Sequence, residues 1–265
     1  TITYQLNGGV NNEGNPTKYT PITDDITFLN PTRPHYIFVD WKINNTVVFG
    51  IPKGSTGNKT VVASWTPQPY LIDYVLQGGS GSHGNKTTYN IEQQVNFVQG
   101  SLRRSGYTFK GWYDSPTGGN KVTVFNVGTS GNKTLYAQWT EITYSITYTM
   151  NGGTNHIDNP NSFTPETDNI ILKNPTRTGY TFNGWYEGNT KITNIPKGSI
   201  GNKTIEARWT IITYSITYEL NGGSGNVSNS LTYTIESADI NLSSSGVTRL
   251  GYNFNKFTSA GSTIT

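Results

Sequence analysis

The stretch GNKTLYAQWTEITYSITYTMNGG, Gly131 to Gly153, carries one strand-like segment into the next through six residues, TEITYS, that include neither Gly nor Pro. The chain has 30 glycines, so their absence here asks for a reason. The same passage returns as GNKTIEARWTIITYSITYELNGG, Gly201 to Gly223, which makes the join part of a repeating unit.

The repeat extends in both directions from that join. LNGG at Leu6, LQGG at Leu76, MNGG at Met150 and LNGG at Leu220 are spaced by 70, 74 and 70 residues, and GNKT followed by Trp closes the first three units. A fixed period of this length marks a tandem array of small folds. The 265 residues divide into repeat one (1–66), repeat two (67–140), repeat three (141–210) and an incomplete repeat four (211–265). Aligning Gly251-Tyr252 with Gly179-Tyr180 leaves repeat four without a counterpart of Ile205–Trp209.

Alternation gives the elements. Ile2, Tyr4 and Leu6 share one face of a strand, as do Ile72, Tyr74 and Leu76, then Ile146, Tyr148 and Met150, then Ile216, Tyr218 and Leu220. In the closing segments Val61, Ala63 and Trp65 face inward, with Leu135, Ala137 and Trp139 and then Ile205, Ala207 and Trp209 in the same places; Tyr136 and Gln138 face out. Between them lie HYIFVDWK, GYTFKGWY, GYTFNGWY and GYNFNKFT. Tyr107 and Phe109 share a face while Trp112 has the opposite parity, so either a bulge near Gly111 re-phases the strand or both faces are covered; the bulge is favoured. Trp41, Trp112 and Trp185, with Phe257, pack; the following residues, Lys42, Tyr113, Tyr186 and Thr258, are solvated. The six tryptophans Trp41, Trp65, Trp112, Trp139, Trp185 and Trp209 form the expected structural core. NPTR and IPKGSTGN or IPKGSIGN supply turns, with a short helical turn expected around Asn194 to Gly198.

Composition narrows the function. With 33% hydrophobic and 13% charged residues and a net charge of +3, the chain lacks the dense basic footprint of a nucleic-acid binder, and no apolar run spans a membrane. Absence of Cys suits the cytosol and secreted surface proteins alike. Thr1 opens directly on a strand pattern, the mark of a mature form or a fragment. His35, His83 and His156 occupy unrelated positions in their repeats, so no metal site is expected. Asp24-Asp25 does not recur as a matched pair, so general acid–base chemistry has no candidate geometry. No catalytic residue, cofactor or metal ligand is assigned. The sequons at Asn58, Asn85, Asn132 and Asn202 read as turn chemistry. Tyr113, Tyr136 and Tyr186 are the candidate ligand contacts, placed to stack on sugar rings if they are not plain sheet-face residues. No Lys, Asn and Glu trio recurs for an internal crosslink.

An opening strand ending in LNGG, the middle NPTRTGYTFNGWY and the closing GNKTIEARWT together resemble the Listeria-Bacteroides repeat, the internalin-type B repeat of bacterial surface proteins. Repeat one departs from the pattern at HYIFVDWK, and repeat four lacks the closing segment. The resemblance implies a mainly β fold, α+β at most, of β-grasp-like units whose first and last strands are neighbours. It also implies an extracellular place at a cell surface or wall, and a non-catalytic role.

The Gly-free join now has its reason. TEITYS and TIITYS are β-prone throughout, and TPQPYL has Pro67 and Pro69, so all three joins resist bending where a Gly-Ser tether would not. The expected function is an elongated semi-rigid stalk, spacer or fibrous element, with neighbouring repeats or other subunits as partners. The alternative is an adhesin whose repeated aromatic faces bind a cell-wall or host glycan or protein. Repeat four is expected to take its missing strand from a continuing chain or from another subunit, the latter giving a polymer.

Overall fold

The computed structural model describes residues 1–227, 229–260 and 262–264, the last three by backbone alone; the expected end of repeat four at Thr265 lies outside them. The chain forms two compact units, Thr1–Thr140 and Glu141–Thr265. Every regular element among the described residues is a strand.

Each of the first three repeats is built around its closing strand, Lys59–Pro67, Lys133–Glu141 or Lys203–Ile211. On one side lies the opening strand, Ile2–Gln5, Tyr70–Val75 or Tyr144–Thr149, in parallel. On the other lies the aromatic strand, Tyr36–Ile43, Tyr107–Tyr113 or Tyr180–Glu187. The first and last strands of each complete repeat are therefore neighbours, as the resemblance implies. A two-stranded ribbon covers the core beside this sheet: Ile26–Thr27 with Gly50–Ile51, Val95–Asn96 with Val124–Phe125, and Ile170–Ile171 with Asn194–Ile195.

The helical turn expected around Asn194 to Gly198 is thus a strand followed by a turn. Ile195 pairs with Ile170 and is buried, and only then does the Ser199 amide close back on the Pro196 carbonyl at 3.2 Å. Proline and glycine signal punctuation in both structures; the need to bury Ile195 against the sheet decides between them.

The bulge is present. In repeat three the register shifts between Phe182 and Gly184, and in repeat one between Phe38 and Asp40. One extra residue, Asn183 or Val39, lets Phe182 and Trp185, or Phe38 and Trp41, point to the same side. Gly184 has φ 142° and Gly111 φ 147°, which only glycine adopts without strain.

The GNKT motif sets register. Its asparagine oxygen accepts a hydrogen bond from the start of the neighbouring opening strand: Asn132 from the Leu71 amide at 2.9 Å, Asn202 from the Ser145 amide at 3.0 Å, and Asn58 from the terminal amine of Thr1 at 3.0 Å. The sequon reading is therefore unnecessary to explain its recurrence at these three positions; Asn85, in the remaining copy of the motif, instead exchanges hydrogen bonds with the Val98 backbone.

Three separate cores result, one per complete repeat. Ile2, Phe28, Trp41, Ile51, Val61 and Ala63 form the first; Ile72, Tyr89, Trp112 and Leu135 are among the second; Ile146, Phe163, Trp185 and Ile205 are among the third. Repeat four has no buried apolar side chain among the described residues. Tyr214–Ser215 pairs with Thr232–Tyr233 and Phe257–Ser259 with Ser262–Ile264, and among the described residues no strand lies alongside Ile216–Leu220.

Candidate functional site

The tryptophans fall into two kinds. Trp41, Trp112 and Trp185 are 3%, 2% and 2% exposed, and their indole N–H groups donate to the carbonyls of Leu29, Val98 and Lys173. Trp65, Trp139 and Trp209 are half-buried at the margin of the core and edge-on to Phe38, Phe109 and Phe182. Inward parity places both kinds on the core side. It does not distinguish the centre of the sheet from its end.

The three candidate tyrosines do not form an open platform. Tyr113 is 9% exposed, against the expectation that it is solvated, and Gln138, expected to face out, is 8% exposed. Both corrections have one cause. Where repeats one and three turn tightly, repeat two carries a longer connection, and Gln138 Nε2 donates to the carbonyls of Ser115 and Gly118 at 3.1 and 2.7 Å. That loop covers the outer face. The spacing of 74 rather than 70 residues was its sequence signal. Tyr136 and Tyr186 are half-buried, the latter under the Arg208 guanidinium at 4.1 Å.

The histidines serve structure. The His83 ring packs on Tyr74 and Trp112, and burial pushes its pKa down. His156 Nδ1 accepts from the Asp158 amide at 3.2 Å. His35 is the informative one, because its partner is in the next repeat: Nδ1 lies 2.7 Å from the Tyr70 hydroxyl. Among the described residues no three His, Cys, Asp or Glu side chains converge as a metal site would require.

His35 leads to the feature that recurs between repeats. In the first unit the Gln68 amide donates to the His35 carbonyl at 2.9 Å, and the adjacent Tyr36 hydroxyl donates to Glu92 Oε1 at 2.6 Å across 56 residues of sequence. Arg33 lies 3.5 Å over the Tyr36 ring. The second unit builds the same clasp between repeats three and four. The Ile212 amide donates to the Gly179 carbonyl at 2.8 Å, the Tyr180 hydroxyl donates to Glu236, again across 56 residues, and Arg177 lies 3.5 Å over Tyr180. The glutamate hydrogen bond raises the pKa of both tyrosines, because ionising either would remove the proton that the bond donates, and desolvation and the carboxylate charge act in the same direction.

Parity missed this clasp. Alternation places a tyrosine at this position on the face of the phenylalanine two residues on, as for Tyr107 and Phe109, and says nothing of the hydroxyl; Tyr36 and Tyr180 sit half-buried at the strand start with their hydroxyls turned to the neighbouring repeat. The available signal was the shared spacing of Tyr and Glu in successive repeats.

Small all-β units repeated in tandem and clasped at their ends define a repeat-array protein. The chain belongs to the Listeria-Bacteroides repeat domain family, which matches it at residues 1–64, 70–138, 144–208 and 214–263. It is similar to a putative Gly-rich membrane protein of Evansella cellulosilytica, 25% identical over 84% of this chain and 26% of that protein. A putative membrane protein of the same organism is 26% identical over 62% of this chain and 24% of that protein. Internalin H of Listeria monocytogenes is 36% identical over 74% of this chain and 36% of that protein. The chain thus spans about a quarter to a third of the length of these relatives. No helix among its described residues is long and apolar enough to cross a membrane.

Proposed function

We propose that this chain is a non-catalytic extracellular spacer, a semi-rigid stalk of tandem repeats within a bacterial surface protein. The observation that carries the reading is the tyrosine–glutamate clasp at the same spacing in both units. A flexible tether has no use for a side-chain bond that fixes one repeat against the next, whereas a spacer must resist bending. The relatives support the placement: two are named as membrane proteins and the third as an internalin, and in each the similar region is a minor share of a longer chain. Within this reading, repeat four takes its closing strand from a continuing chain or from another subunit, the latter extending the array into a fibre.

Small-angle scattering tests the spacer role. An elongated distance distribution with a long tail is expected for the 265-residue chain, and a near-spherical one would rule the reading out. The adhesin alternative retains only Tyr136 and Tyr186 as ring faces, since Tyr113 is buried. Saturable binding to a glycan array that is lost on Tyr136→Ala or Tyr186→Ala would favour it.

A further inference from the structure

The outward face of the repeat-one sheet is apolar where the same face of repeats two and three is polar. Phe38 and Trp41 of the aromatic strand pack against the core, which turns Ile37 outward beside Thr66 of the closing strand. Val39, the extra residue of the bulge, stands on the same face: its counterpart Asn183 donates to Thr210 Oγ1, the equivalent of Thr66, at 2.7 Å. On the edge strand Thr46–Val48, Val48 packs inward, so alternation turns Val47 outward and Phe49, just past the strand, with it. Ile37, Val39, Val47 and Phe49 are 49%, 55%, 45% and 82% exposed. Half-buried Val62 stands opposite Lys42, which in turn stands opposite Val47, and carries the patch to the middle of the sheet.

The pattern is particular to this repeat. Val39 and Val47 correspond to Lys110 and Lys121 in repeat two and to Asn183 and Lys191 in repeat three, and Ile37 and Phe49 correspond to threonine in both. Lys121 and Lys191 cross the sheet above the glycine of the bulge, Gly111 or Gly184. Lysine at such an edge is a common guard against sheet association, and repeat one lacks it. The result is an exposed apolar patch on the order of 400 Å², the size that marks interaction sites on monomeric proteins.

A neighbour in the array does not cover this face. Within each unit successive repeats meet at strand ends, through the His35 carbonyl and Tyr36 hydroxyl in the first and the Gly179 carbonyl and Tyr180 hydroxyl in the second. None of these groups lies on the outward face, and the exposures of Ile37, Val39, Val47 and Phe49 are those with repeat two in place. A further repeat joined in the same way, before or after, leaves the patch bare.

We propose that the outward sheet face of repeat one is a self-association surface, on which repeat one of a second copy of this chain packs face against face. An apolar sheet face is well covered by another, with strands roughly aligned and side chains interdigitating. Among the described complete repeats, repeat one alone offers such a face: in repeat two the loop held by Gln138 lies over it, and repeat three presents Lys191 and the Glu206–Arg208 ion pair. Charge favours the same partner. Asp40 and Lys42 lie in the patch as one opposite pair, 3.7 Å apart, so two copies meeting about a two-fold axis bring no excess of like charge together. Burying roughly 400 Å² on each copy falls short of the ~800 Å² per partner of a stable complex, so the association is weak and reversible.

The test is sedimentation equilibrium of the 265-residue protein from about 10 µM to about 1 mM, the range in which so small an interface is populated. The average mass is expected to rise from the 29.1 kDa of one chain toward twice that value. Val39→Lys/Val47→Lys gives repeat one the lysines that repeat two carries at these positions; it is expected to weaken association at least about tenfold while leaving the unfolding midpoint unchanged. Phe49→Thr, outside any strand, is expected to weaken it several-fold and decides the matter if the lysine variant unfolds. A protein that stays monomeric throughout, or association that persists in Phe49→Thr and in a folded lysine variant, would overturn the proposal. Scattering at the lowest of these concentrations still tests the spacer reading on single chains, so the two readings fail separately.

Discussion

Tyr4, Tyr74 and Tyr148 place a phenol inside each complete repeat, donating to the carbonyls of Pro16, Lys86 and Pro160 at 3.0, 2.7 and 2.9 Å. Burial pushes each pKa up from the ordinary 10.0 to about 12, because the phenolate would lose its hydration. A raised folded-state value means that the stabilisation is complete below pH 10 and is lost as pH rises from 10 through about 12. Urea unfolding midpoints are therefore expected to fall steeply across that interval, and Tyr148→Phe is expected to flatten the fall for repeat three. An equal slope in the variant would show that another group titrates. The tryptophans give a second prediction at this scale. Trp185→Ala is expected to cost repeat three about 3–5 kcal/mol, enough to unfold so small a unit, and Trp209→Ala less, since Trp209 is already partly solvated. Denaturant titration of both variants checks the order.

Among the elements, the bulge shows why some features were legible and others were not. Phe182 and Trp185 cannot share a face by simple alternation, so sequence parity alone requires an extra residue, and the structure places it at Asn183. Gly184 follows it at φ 142°, with Lys191 Cε 2.4 Å from where a Cβ would sit. Gly184→Ala is accordingly expected to lower the stability of repeat three by about 1–3 kcal/mol through backbone strain, the flexible lysine itself moving aside. Repeat one carries Asp40 at the equivalent position and Val47 in place of the lysine, so the same change is specific to the glycine-bearing repeats. The ribbons were not legible. Two-residue strands such as Asn194–Ile195 are too short for alternation to register, and only long-range pairing with Ile170–Ile171 defines them. The covered state of Tyr113 was hidden for a similar reason, since it depends on a loop folding back over a sheet face rather than on the strand's own pattern.

At the scale of the whole chain, the repeat period and the Gly-free joins were readable because each is a local property of the sequence. The Tyr–Glu clasps were not, because they join residues of different repeats through hydroxyls whose direction alternation does not specify. Their role can be isolated, since Tyr36→Phe and Tyr180→Phe each remove one hydroxyl and leave the ring in place under Arg33 or Arg177. If the clasp couples neighbours, repeats one and two open together in the parent protein and separately in Tyr36→Phe, by the nearest-neighbour logic of tandem arrays. Native-state hydrogen exchange read repeat by repeat is the direct measurement. The core amides of each repeat should keep their own protection, while the shared opening of the pair is lost. Glu92→Leu should reproduce the effect, and adding Tyr36→Phe to it should change nothing further, because the bond is already gone. The double variant Tyr36→Phe/Tyr180→Phe should then broaden the scattering distance distribution without shifting the unfolding midpoint of any single core. If exchange stays coupled in Tyr36→Phe, the Gln68–His35 backbone bond and the stiff TPQPYL join carry the coupling instead, and Pro67→Gly/Pro69→Gly becomes the change expected to release it.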